Sequence, residues 1–317
     1  MTWRCPVKAT EPFKIAIAGV GKIARDQHVP SIARSADFTL AATISRHGTV
    51  DGVDAFTSME EFLHRRPDIG VIALCVPPQV RFDLAWQALQ AGRHVLLEKP
   101  PGATVAEVQA LTELARDKGR TLFATWHSRF APAVPSAKAW LSTRTFLQAE
   151  IVWKEDVRRW HPGQAWIWEA GGVGVFDPGI NALSIMTEIM PLPARLVSAE
   201  LDFPENRATP IAARLEFRDT LSAPISADFD WRQTGPQTWD ITVATNDGEM
   251  QLSKGGAVMR VDGETIVEAP EAEYDGIYAR FADLLKAGES EVDLTPLVHV
   301  ADAFMLGRRL TVEPFDE

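Results

Sequence analysis

Ile15-Ala16-Ile17-Ala18-Gly19-Val20-Gly21-Lys22-Ile23-Ala24 is the stretch on which the reading of the whole chain turns. Four residues of strand character run into a Gly-x-Gly-x-x-Ala turn, and a helical pattern follows. In a dinucleotide-binding βα unit each position has a physical task. Gly19 allows the tight turn, Gly21 leaves no side chain in the way of a pyrophosphate, and Ala24 lets the helix lie close on its strand. The helix N-terminus, with Lys22 and Ile23 in its first turn, then faces the phosphate charge. Such a turn also occurs in ordinary strand-to-helix connections, so its surroundings decide.

Those surroundings agree. Apolar runs at 13–18, 38–44, 69–76, 94–97 and 121–124 alternate with helical patterns at 22–35, 58–65, 79–91 and 104–118. This rhythm predicts a parallel sheet wrapped by helices. Ser58 followed by Glu61 is a capping-box pattern, and Gly92 and Gly119 stand where two helices should stop. After residue 130 the pattern changes. A helix is expected over 134–141, a strand over 145–153 and a helix near 178–190. Period-two alternation then follows: Ile211, Ala213, Leu215, Phe217; Ile225, Ala227, Phe229, Trp231; Trp239, Ile241, Val243. It predicts a largely antiparallel sheet with one covered face. Two more helices are expected, near 274–287 and 295–310. The fold class is α/β: a doubly wound Rossmann domain over 1–128, then an α+β domain over 129–317 on a large, mostly antiparallel sheet that holds substrate and supports oligomerisation. The 295–310 helix is a candidate to pack back on the first domain.

Composition narrows the partners. Against 32 basic residues stand 43 acidic ones, a net charge of −11. A field of that sign repels nucleic acid and anionic membranes. The cysteines are Cys5 and Cys75, the latter inside an apolar run where a thiol behaves as a small buried hydrophobe, so neither a disulfide framework nor a cysteine metal site is expected. No His/Asp/Glu cluster has metal-ligand spacing. Residues 1–12 lack the apolar core of a signal peptide, and no stretch approaches the roughly 20 apolar residues of a membrane span, which points to the cytoplasm.

Two strand ends carry the chemistry. The second ends in Ser45-Arg46, where an NAD enzyme usually places a carboxylate for the ribose and an NADP enzyme an arginine for the 2′-phosphate. NADP is the expected cofactor, with NAD as an alternative. A solvated loop cation is the plainer reading of Arg46, and Asp51 and Asp54 lie close enough in sequence to compete for the ribose. The fourth strand runs into Glu98-Lys99-Pro100, which projects Lys99 toward the ligand crevice at the carboxyl ends of the strands.

That tripeptide, placed after the glycine turn, resembles the family of glucose–fructose oxidoreductase, inositol dehydrogenase and MocA, and the resemblance extends through the sheet region. It implies that Lys99 meets both substrate and nicotinamide, and that Pro77 and Glu98 join the cofactor set. Three stretches, Gly21 to His28, Thr125 to Arg129 and Trp153 to Asn181, further resemble bacterial 1-dehydrogenases of L-arabinose and D-galactose. Many family members carry Asp-x-x-x-His where this chain has Asp177-Pro178-Gly179-Ile180-Asn181. Residues four apart share a helix face, so Asp177 and Asn181 can both point into the cleft. Asn181 cannot titrate and can only orient a sugar. The base role therefore falls to Asp177, to Lys99 or to a relay between them. From the resemblance, Glu155, His161 and His127 are substrate-binding candidates, beside Trp160, Trp166 and Trp168, for which core filling is the alternative; for Trp153, on a strand, core filling is preferred. Arg158-Arg159 reads as a solvated pair.

The implied activity is oxidation of C1 of a small neutral pyranose, L-arabinose or D-galactose, to the lactone. Another sugar or polyol oxidoreductase of the family, or a catalytically silent sugar sensor, are the rival readings. A homodimer or tetramer is expected through a sheet face carrying Phe217, Phe229 or Trp231.

Overall fold

The structure is a computed structural model and describes residues 11–316; Cys5 and most of the stretch read for a signal peptide lie outside that range. Among the described residues the strands form two sheets. The first contains β1 (Phe13–Ala18), β2 (Phe38–Ile44), β3 (Asp54–Phe56), β4 (Val71–Leu74), β5 (His94–Leu97) and β6 (Leu122–Ala124). All its pairings are parallel, in the order β3-β2-β1-β4-β5-β6. The order reverses between β1 and β4, which opens a crevice at their carboxyl ends. Connecting helices are α1 (Val29–Arg34), α2 (Met59–Arg65), α3 (Pro78–Gln90) and α4 (Val105–Lys118). Ser58 caps α2 by accepting from the Glu61 backbone, and Gly119 ends α4 in the left-handed region, as the sequence predicts. Thr104 and Glu107 add a full capping box on α4 that the sequence reading did not single out.

Both faces of this sheet are buried, which is why its strands are apolar without alternation. Ala16, Ala18, Ile72 and Leu74 face one core. Ile15, Ile17, Val71 and Ala73 face the other.

The second sheet follows α5 (Val134–Leu141). Its strands are β7 (Phe146–Lys154), β8 (Ala194–Pro204), β9 (Ala212–Asp219), β10 (Pro224–Asp230), β11 (Thr238–Thr245), β12 (Gly248–Ser253), β13 (Val258–Val261), β14 (Glu264–Glu268) and β15 (Arg308–Val312), with α6 (Val157–Trp160) and α7 (Phe176–Ile189) between β7 and β8. The order is β14-β13-β12-β11-β7-β10-β9-β8-β15. Only β7–β10 and β8–β15 pair in parallel.

Two helices close the fold, α8 (Glu273–Ala287) and α9 (Thr295–Leu306). Here the structure corrects the sequence reading. The expected 295–310 helix stops at Leu306, because Gly307 turns out into an extended conformation and the next residues pair with β8. It packs chiefly on α7 and β8, and only its flank meets α4. The helix that returns to the first sheet is α8, whose Tyr274, Ile277, Tyr278 and Phe281 complete the core around Ile15 and Ile17.

A second correction concerns assembly. Phe217, Phe229 and Trp231 are all fully buried within the chain, on the face covered by helices. The opposite face carries charges instead: Arg214 with Glu200 and Asp202, Arg232 with Asp230, Lys154 with Asp228. Assembly through that face would join charges, not aromatic rings.

The seat of α7 on the sheet depends on one small residue. A Cβ on Gly179 would stand 2.6 Å from Phe229 Cδ2, a distance at which something must move. Overpacking of this kind costs about 1–3 kcal/mol. Gly179→Ala should therefore lower the urea midpoint by a corresponding amount without changing the slope of the transition. A variant as stable as the parent would show that α7 can slide on the sheet.

Candidate active site

The glycine turn has the shape a dinucleotide needs. Gly19 sits at φ +90°, and a Cβ there would come within 2.9 Å of the Val76 nitrogen. A Cβ on Gly21 would meet nothing within 4 Å, so the backbone is open where a pyrophosphate would approach. Lys22 and Ile23 begin the helix beside it, which passes through a π-turn at Ala24–His28 before α1. At the tip of β2, Ser45 Oγ accepts from the His47 backbone at 3.4 Å, and Arg46 is exposed. Asp54, one of the two competing carboxylates, is held in β3 by Arg66 at 2.6 Å. The residues present fit a nicotinamide dinucleotide lying from the β2 tip across the turn.

Beyond the turn lies a cavity of about 590 Å³ between the carboxyl ends of the first sheet and the α6–α7 region. Lys99, His127, Glu155, His161, Asp177 and Asn181 all line it, drawn from five separate segments. Gly21, Lys22, Ile23, Pro77 and Glu98 line its cofactor side, while Gly19, Ser45 and Arg46 stand outside it. Cys75 is half-buried at the end of β4 and also reaches this cavity, so it is not the core residue expected.

At the centre stands an ion pair. Lys99 Nζ lies 3.1 Å from Asp177 Oδ1 and 3.0 Å from the Asp177 carbonyl. His161 Nε2 stands 3.4 Å from the other carboxylate oxygen, Oδ2. Burial would push the Asp177 carboxyl up, yet the charges of Lys99 and His161 bring it below the usual carboxylate range. Its place in the first turn of α7 favours the anion further. Asn181, one helical turn on, is half-buried on the same wall.

Glu155 behaves in the opposite way. Its carboxylate is buried, with Trp231 Nε1 donating to Oε1 at 3.3 Å and Trp239 Nε1 to Oε2 at 2.9 Å. Burial pushes its pKa up to about 7, against the two indole donors and with the help of the Asp177 charge. Two carboxyl groups flanking one histidine are thus driven apart in proton affinity, a pattern that marks sites of proton management.

Trp231 and Trp239 are functional neighbours that the sequence reading placed in the sheet pattern alone. Their indole nitrogens could not be aimed at Glu155 until the register of β10, β7 and β11 was known. Of the aromatic loop, Trp168 is core, Trp160 and Trp166 line the cavity, and Trp153 does both at the end of its strand. Arg158 pairs with Asp156 at 3.0 Å and lies over Phe315. His127 is bonded through Nδ1 to Glu273 at 2.6 Å and stacks on Tyr274, both at the start of α8. Arg81 is another residue without a sequence signal: its buried guanidinium donates to the carbonyls of Val76, Glu98 and Pro100, fixing the lips of β4 and β5 around the cis Lys99–Pro100 bond.

Known proteins resemble this chain in sequence and fold. Residues 13–125 match the GFO/IDH/MocA oxidoreductase family, NAD-binding Rossmann fold. Over 305 residues the chain is 44% identical to galactose 1-dehydrogenase of Pseudomonas fluorescens, covering 96% of this chain and 99% of that protein. The crystal structure of D-galactose-1-dehydrogenase from Rhizobium etli is similar with a TM-score of 0.94 and 56% identity, over 98% of this chain and 100% of that one. A 3-ketoreductase from Actinomadura kijaniata, solved with NADP, shares the fold at a TM-score of 0.83 and 16% identity, over 95% and 99% of the two chains. Likeness that runs through both sheets, and not the nucleotide-binding half alone, settles the matter: the chain belongs to the GFO/IDH/MocA family of NAD(P)-dependent oxidoreductases.

Proposed function

We propose that the protein is an aldose 1-dehydrogenase that oxidises the anomeric C1 hydroxyl of D-galactose, and of L-arabinose, to the lactone. The observation that carries this reading is the Lys99–Asp177 pair, 3.1 Å apart, facing a cavity that also opens on the glycine turn. Near-full-length likeness to two galactose 1-dehydrogenases supports the substrate class. The two sugars share every ring configuration and differ by the hydroxymethyl at C5, so one pocket can accept both.

When bound, NADP⁺ accepts the hydride that leaves C1. The chain's own residues manage the proton and the charge. Lys99 holds its ammonium where negative charge grows on the C1 oxygen, a preorganised electrostatic contribution. Asp177 takes the hydroxyl proton as the hydride departs. Its low proton affinity, which the Lys99 charge helps to set, makes it a poor resting place, and His161, 3.4 Å from Oδ2, can take the proton onward in its neutral form. Asn181 orients the sugar without titrating. Glu155 and His161 read ring hydroxyls, while Trp160 and Trp166 offer apolar faces to the C–H side of the ring.

A panel of galactose, arabinose, glucose, xylose and inositol, followed by NADPH absorbance, tests the function. Galactose and arabinose should turn over. Glucose, the C4 epimer, leaves a buried polar group unpaired at a cost of about 1–3 kcal/mol, and should be poorer by roughly tenfold to a hundredfold in kcat/KM. Equal use of glucose and galactose, or no turnover of any sugar, would overturn the reading.

Substitutions test the residue roles. Lys99→Ala and Asp177→Asn should each lower kcat by about 10²–10⁴, the range for a general acid–base or electrostatic group. Asn181→Ala should mainly raise KM for sugar. The reverse ranking of Asp177→Asn and Asn181→Ala would remove Asp177 from the base role.

Cofactor choice follows from the β2 tip. With Asp54 paired to Arg66, Arg46 is exposed at the tip with Asp51 as the carboxylate still competing for the ribose, and a guanidinium pairs a phosphate through two N–H donors at once. NADP⁺ should be preferred or at least equalled. Arg46→Ala should weaken NADP⁺ binding by roughly tenfold to a hundredfold, as the loss of a charge-assisted bond implies, and leave NAD⁺ nearly unchanged. Binding titrations with each nucleotide check this, and equal weakening of both would make Arg46 a loop cation only.

A further inference from the structure

Behind Lys99, where Glu98 and Tyr274 edge the cavity, lies a buried polar cluster to which the reaction gives no direct part. Glu98 is 3% exposed, and each of its carboxylate oxygens is taken. Oε2 turns back to accept from the Lys99 backbone N–H at 2.7 Å. Oε1 accepts from the Tyr274 hydroxyl at 2.8 Å and faces His28 Nε2 at 2.9 Å. The other nitrogen of His28 lies 2.8 Å from the Tyr278 hydroxyl. Three segments distant in sequence therefore meet on one carboxylate: the cofactor helix, the end of β5 and α8.

The π-turn explains how His28 reaches it. One wide turn inserted in a helix shifts the residues after it around the axis, and such turns recur at functional positions. Ala24 and His28 are both fully buried, so the turn keeps Ala24 against its strand while aiming His28 at Glu98.

We propose that His28 and Tyr274 are positioning residues that hold the Glu98 carboxylate on the Lys99 backbone and so fix Lys99 against Asp177. This rests on the reading of Lys99 as a working group. Glu98 accordingly acts from behind the lysine. The cluster also balances charge. Burial opposes charge on His28, but Cys75, Tyr278 and Glu98 raise its pKa well above the imidazole range. Burial likewise pushes Glu98 up, and His28, His127 and Tyr274 nonetheless hold it well below the carboxylate range. The groups that face this pair are Cys75 at the end of β4, Tyr274 and Tyr278 on α8, His127 after β6, and Arg81 on α3, whose guanidinium bonds the Glu98 carbonyl. Beyond them stands Asp177, whose proton affinity the Glu98 charge raises.

His28→Gln keeps an amide donor but removes the positive charge. If Glu98 stays ionised, its unbalanced charge raises the proton affinity of Asp177. If Glu98 takes up a proton, the Lys99 N–H loses its anionic acceptor over that titration. In both cases the acidic limb of kcat moves to higher pH, by about one unit for a lost charge partner. The plateau kcat should fall about tenfold, since small misplacement of a reacting group is costly. NADP⁺ affinity, read by quenching of tryptophan fluorescence, should stay within about threefold, the change expected when no phosphate contact is lost. Tyr274→Phe, which keeps the ion pair, should lower kcat several-fold with the limb in place, and it preserves the test if His28→Gln does not fold. Lys99→Ala is assayed alongside. Full activity of Lys99→Ala would sink the reading of the site itself. An inactive Lys99→Ala beside His28→Gln and Tyr274→Phe with parental kcat and limb would overturn the positioning role alone. Loss of NADP⁺ affinity with an unmoved limb would overturn it too, as a packing effect.

Discussion

A half-buried ammonium beside a buried carboxylate is costly to make. Removing two charges from water costs several kcal/mol each, and their attraction repays it only if the geometry is held. The Lys99–Asp177 pair sits where the two sheets meet, and much of the surrounding structure serves to hold its members. Lys99 leaves β5 at a lip that Arg81 ties to β4, and Glu98 grips its backbone from behind. Asp177 stands in the first turn of α7, a helix seated on the sheet through the contact of Gly179 with Phe229. His161 approaches the same carboxylate from α6. The carboxylate therefore has its histidine neighbour from the end of α6, and a non-titrating Asn181 one turn along its own helix.

Legibility in the sequence followed the range of the forces involved. The glycine turn, β1, β2 and β5 could be placed to the residue, because local conformation and double-sided burial write directly into the chain. β3 could not: three residues at a sheet edge, two of them exposed, carry no apolar run. The hairpins of β12 to β14 are short and partly exposed, and β8 breaks its alternation with a bulge between Leu196 and Ser198. β15 was read as the end of a helix because its pairing with β8 is a contact across more than a hundred residues.

The cavity shows the same division. Its six expected side chains were found from motif and resemblance, and they do line one space. What the sequence hid was their support. Trp231 and Trp239 look like ordinary inward-facing strand residues until register brings them to Glu155, and Tyr274 looks like a helix core position until α8 is placed on the first sheet. A partner 76 to 176 residues away leaves no mark at the position it serves.

The return of α8 has a consequence during synthesis. The face of the first sheet formed by Ile15, Ile17, Val71 and Ala73 is closed by residues of 273–287, made long after β6 is complete. At about 5–20 residues per second, that face waits on the order of ten seconds for its cover. The nucleotide-binding half thus leaves the ribosome with an open apolar surface, and its core is finished only after nearly all of the second sheet has been made. Folding in this chain is obligately retrospective: the segment made first is the one that must wait.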